Sequence, residues 1–126
     1  MRKQYHFREG EQGLLAWDVH RLIDLTKDME PHAVRLSAIR EIDEPYWYDA
    51  DDPPPTCRDL MDHMRLVEAT DLAHPIILSP DGRVMDGMHR VIKALLQGHS
   101  DIMAVQLMAM PAPDYVGVDP DDLPYA

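Results

Sequence analysis

The sequence predicts a single α+β domain over residues 1–126, a small mixed β-sheet packed with about three helices. Three observations carry this. Apolar residues recur at helical spacing in some segments, while in others they alternate or run in short stretches as strands require. Proline-rich acidic stretches at 41–55 and 111–126 interrupt this pattern, and proline keeps them out of long helices and central strands. With 126 residues the chain has material for one modest core.

Taken in order, "LLAWDVHRLIDLT" sets Leu15, Val19, Leu22 and Ile23 at helical spacing and predicts a helix over 14–26. "HAVRLSAI" alternates Val34, Leu36 and Ala38 with Ala33, Arg35 and Ser37, which predicts a half-buried strand over 34–39. The acidic, proline-rich loop 41–55 follows, and Tyr46, Trp47 and Tyr48 are expected to pin it to the body. Thr56 and Asp59 stand in capping-box spacing at the head of a helix over 56–69. Its expected buried face is Cys57, Leu60, Met61, Met64 and Val67. Short strands at 75–78 and 83–86 flank Ser79-Pro80-Asp81-Gly82, a hairpin turn. A helix over 87–97 ends at Gly98, a strand spans 101–107, and 111–126 reads as a tail. All three helices are expected to cover the sheet, the one large apolar surface.

Charge and composition narrow the function. A formal net charge of −11 repels a phosphate backbone, so direct nucleic-acid binding is not expected. No charged leader runs into an apolar span of signal or membrane length, which reads as a soluble, cytoplasmic protein. Cys57, the single cysteine, excludes an internal disulfide and lies on an apolar stripe, where a buried inert thiol is expected. Seven histidines without a His-x-x-x-His pair give no expected metal site. Trp17 and Trp47 read as core and loop anchors, and nine methionines suit core filling and contact surfaces alike.

The polar chemistry concentrates in "RVMDGMHRVIKALLQG", residues 83–98. With Asp86 as cap and Gly87 as first helical residue, Met88, Val91, Ile92, Leu95 and Leu96 form the buried stripe. His89, Arg90, Lys93 and Gln97 then share the opposite face. A helix start offers unpaired N–H groups and a partial positive charge, and glycine lets a ligand approach the backbone. Phosphate suits such a place. Residues 74–99 carry Arg83, Arg90 and Lys93 against Asp81 and Asp86, so the local balance is positive within an acidic chain.

A Pro-Ile-Ile-Leu strand, an Asp-Gly turn, a second strand ending in Asp-Gly-x-His-Arg and a helix running to Leu-Leu-x-Gly resemble the ParB/sulfiredoxin superfamily. The resemblance is best over 71–107 and covers about half the chain. It implies a ParB/sulfiredoxin-like fold in which Gly87, His89 and Arg90, with Lys93 on the same face, contact a nucleotide phosphate (ATP, ADP or CTP), with or without Mg2+. Met88 stands where sulfiredoxins carry their catalytic cysteine, which removes that activity. An acidic, proline-broken tail stands where partition proteins continue into a helix-turn-helix. The Asp-Gly-x-His-Arg form also resembles the superfamily's free serine kinases, which implies a small nucleotide-dependent phosphotransferase. Asp86 would then be base or magnesium ligand, and Glu41 a second acidic participant. The alternatives are a non-catalytic adaptor that keeps the fold, with a protein partner or as a homo-oligomer, and a DNA-partition component whose partner supplies the basic surface.

Overall fold

Two strands that the periodicity did not separate from a helix open the chain in the computed structural model, which describes residues 3–125. β1 (Tyr5–Gly10) and β2 (Gly13–Asp18) pair antiparallel from Tyr5↔Asp18 to Gly10↔Gly13. The two-residue connection uses Gly13 at φ 111°, a backbone region open to glycine. Helix α1 is Val19–Thr26, not 14–26, and starts where Asp18 accepts a hydrogen bond from the His20 N–H at 2.9 Å. Leu14 to Trp17 belong to β2. Four consecutive apolar residues satisfy either period, and the cap decides where strand becomes helix.

β3 (His32–Arg35) is shorter than the expected strand 34–39, and the chain then tightens into 3-10 turns at Leu36–Ala38 and Arg40–Asp43. Leu36 and Ile39 turn into the core from these turns. α2 (Cys57–Ala69) starts on the Thr56–Asp59 capping box, with Asp59 N–H donating to Thr56 Oγ1 at 3.1 Å. β4 (Ile76–Leu78), β5 (Val84–Asp86), α3 (Met88–Leu96) and β6 (Asp101–Gln106) follow as the patterning expects, and β7 (Tyr115–Val116) pairs with β2. The strands therefore form two sheets, β1-β2-β7 and the mixed β3-β6-β4-β5, rather than one.

Strand period explains the core. Ile76, Leu78, Val84 and Ala104 point to one face of the four-stranded sheet, where Leu36, Ile39, Met88, Val91 and Ala94 cover them. Ile77, Met85 and Val105 point to the other face and meet Trp17 and Leu22. α3 thus buries Met88, Val91 and Ala94, while Leu95 and Leu96 remain exposed.

α2 corrects two expectations. It packs against α3 rather than on the sheet, and Val67 is its one buried residue. Cys57, Leu60 and Met64 are exposed, so the thiol is not a core group. No helix among the described residues is long and apolar enough to cross a membrane.

Candidate functional site

Asp86 ends β5 and Gly87 is the N-cap of α3 at φ 110°, which corrects the reading of Asp86 as cap. No side chain caps this helix, and its first backbone bond runs from Val91 N–H to the Gly87 carbonyl at 3.0 Å. The N–H groups of Met88, His89 and Arg90 lie ahead of that bond, where a helix has no partners of its own. A Cβ on Gly87 would stand 2.6 Å from Ile76 Cγ2 and 2.8 Å from Arg90 Nη2. Glycine is required here for its φ and for the close pass of its own neighbours.

Arg90 is held from two sides. Its Nη2 donates to Asp86 Oδ2 at 3.1 Å and to the Pro75 carbonyl at 3.3 Å, while its Nε is enclosed without a hydrogen-bond partner. The two side chains of this ion pair are 16 and 17 % exposed, so Asp86 orients the guanidinium in a partly desolvated place.

His89, which helical spacing sets on one face with Arg90 and Lys93, turns toward α2. Its Nε2 lies 2.9 Å from His63 Nδ1 on α2, and both imidazoles stack on Trp47, with ring centroids 4.8 and 4.2 Å from the indole. Trp47 thereby fastens the acidic loop to both helices, as expected of a loop anchor. Burial, then the neighbouring His63, pushes the His89 pKa below the ordinary histidine value; Asp86 opposes this and Arg90 adds to it. His63 shifts the same way through burial, against Asp59 and Asp62.

Lys93 stands apart from these groups. Its Nζ donates to the carbonyls of Glu68 at 3.0 Å and Thr70 at 2.7 Å, closing the C-terminal end of α2. Glu41 likewise serves the frame. Only 4 % exposed, it accepts from the Val84 N–H, while Tyr46 Oη donates to the Val84 carbonyl at 3.3 Å. Together they satisfy the outward backbone of β5, the edge strand. Glu41 Oε1 has no hydrogen bond and lies 3.6 Å from Arg83 Nη1.

Asp86, Gly87, His89 and Arg90 line a cavity of about 310 Å³ whose other walls include Val19, Ile23 and Leu66. Asp86 and Arg90 also border a cavity of about 520 Å³ with Met29, Pro31, Ile77 and Val105 on its walls. Both volumes lie in the range of small-ligand sites, and a few convergent polar groups against apolar walls is their usual composition. The structure thus brings Asp86, Gly87, His89 and Arg90 together and directs Lys93 and Glu41 elsewhere. Sequence reasoning missed His63 and Trp47 as neighbours of His89, since no local spacing links them. Set against known protein families, curated proteins and solved structures, the chain matches none of them.

Proposed function

We propose that this chain is a small ParB/sulfiredoxin-like protein that binds the phosphates of a nucleotide at the start of α3. One observation carries the reading: at an uncapped helix start beside a cavity, the Arg90 Nε is enclosed without a partner while Asp86 fixes the rest of the guanidinium. An anion there takes backbone N–H groups, the favourable end of the helix dipole and an arginine already oriented. The apolar cavity next to Asp86 and Arg90 has room for the rest of a nucleotide.

Among the described residues no three His, Cys, Asp or Glu side chains gather to hold a metal ion. A Mg2+ ion at this site would rest on Asp86 and the nucleotide's own phosphates, and would relieve the repulsion between carboxylate and phosphate. In the phosphotransferase form of the reading, Asp86, the one carboxylate among the described residues lining this cavity, takes the proton from a substrate hydroxyl. A thermal-shift screen with ATP, ADP, CTP and GTP, with and without Mg2+, tests the proposal. A ligand of the native state raises the melting temperature by mass action, and no shift with any of them sinks it.

The exposed apolar side chains Met108, Leu96 and Met64, at 96, 76 and 62 % exposure, favour a second reading as an adaptor. Concentration-dependent elution in gel filtration together with a flat nucleotide screen would establish that reading instead.

A further inference from the structure

A cavity of about 590 Å³ lies away from the α3 start, between β1 and the acidic loop. Tyr5, His6, Phe7 and Arg8 from the strand and Tyr46 and Trp47 from the loop line it. The imidazoles of His63 and His89 are 5.2 Å apart, close to the separation of either ring from the indole, and both lie within 19° of its plane. Rings on opposite faces would be separated by the sum of the two stacking distances, so the hydrogen-bonded pair shares one indole face, while Trp47 also packs on the core and borders the cleft.

The cleft also holds a fixed donor. Arg8 Nε donates to His6 Nε2 at 3.0 Å, which makes that imidazole the neutral acceptor. Burial, reinforced by Arg8, holds the His6 pKa down at about 4, in keeping with this. Arg8 Nη2 is itself enclosed, lies 3.7 Å from the Asp81 carboxylate, outside hydrogen-bond reach, and has no hydrogen-bond partner among the described residues. The Arg8 side chain keeps 28 % of its surface open.

We infer that this cleft binds a flat aromatic ligand carrying a hydrogen-bond acceptor on one edge, the ring stacking on Trp47 and the acceptor meeting Arg8. Rings prefer offset stacking on such surfaces, and an arginine held from behind loses little freedom on accepting a partner. Nucleobases and aromatic carboxylates share this chemistry. Arg8 and Phe7 lie on β1, away from the α3 start, while Trp47 meets that start through His89.

Amide and side-chain NMR of the intact 15N-labelled chain tests it with two phosphate-free probes, adenosine and 2-naphthoate. Binding of either shifts the Trp47 indole and Arg8 Nε–H signals, with the Gly98 amide as the internal reference. Arg8→Gln and Phe7→Ala each weaken it tenfold or more while the remaining spectrum keeps its dispersion. Adenosine alone identifies a nucleobase site; naphthoate alone identifies an aromatic-acid site. The inference is overturned if neither probe moves these signals, or if Arg8→Gln and Phe7→Ala, still folded, bind as the native chain does. Inorganic triphosphate in a parallel titration reports on the α3 start through the amides of Met88, His89 and Arg90, and Arg8 Nε–H reports on the cleft, so a failure at the α3 start leaves the Arg8 result untouched.

Discussion

His63 Nδ1 and His89 Nε2 lie 2.9 Å apart, joining α2 to α3 through two imidazoles that share one hydrogen bond beneath Trp47. The contact requires one ring to offer a lone pair, so it fails once both are protonated. Acidification should therefore loosen the Trp47 loop. The expected signature is a change in tryptophan fluorescence below the ordinary histidine value, absent in His63→Phe. A flat trace from pH 7.5 to 4.5 would contradict it.

Stability should follow the same direction. His6, His63 and His89 all have lowered pKa values, burial being the first cause in each, and His6 reaches about 4 against an ordinary 6.5. The unfolded chain binds more protons than the folded one in that interval, so stability is complete above 6.5 and is lost as pH falls toward 4. His6 alone contributes on the order of 3 kcal/mol. Urea midpoints at pH 7.5, 5.5 and 4.5 should descend in that order, and a midpoint that rises on acidification would refute the burial account.

Gly87→Ala should destabilise by about 2 kcal/mol or more, adding side-chain strain at positive φ to a clash with Ile76. Gly82→Ala meets no atom within 4 Å and has a comparable φ of 81°, so it isolates the backbone part. Equal losses in the two variants would show that the Ile76 contact is unimportant.

Lys93→Met separates two roles for one residue. With its Nζ on the carbonyls of Glu68 and Thr70, its loss should cost about 1 kcal/mol of stability and leave any nucleotide-induced shift intact. A normal melting temperature with a lost nucleotide shift would return Lys93 to the phosphate site.

Glu41→Gln keeps an acceptor for the Val84 N–H and should be mild, whereas Glu41→Ala strands that group and should cost about 1–3 kcal/mol. Denaturation midpoints of the two variants decide between an edge-strand role and a purely chemical one, which would leave both as stable as the native chain.

How far this was legible in the sequence varies by element. α3 and the strands before it could be read because a turn, a breaker and a clean apolar stripe coincide between Pro75 and Gly98. The opening hairpin was legible in principle: Gly10 and Gly13 bracket two polar residues, and Asp18 is a cap three residues before Arg21. The run from Leu14 to Trp17 hid it by fitting either period. Asp86 looked like a cap because aspartate before a helix usually is one, yet Gly87 took that position and left the carboxylate free to hold Arg90. His63 and His89 are 26 residues apart and meet only because α2 lies on α3, a tertiary fact without a local signal.

We propose that the start of α3 holds a nucleotide phosphate through Arg90. Isothermal titration of ATP with Mg2+ into the native chain and into Arg90→Lys tests it most directly, since lysine keeps the charge beside Asp86 but loses the fork of donors. Measurable binding by the native chain and at least tenfold weaker binding by the variant are expected, with little change in its melting temperature. No binding by the native chain, or equal binding by both, would contradict it.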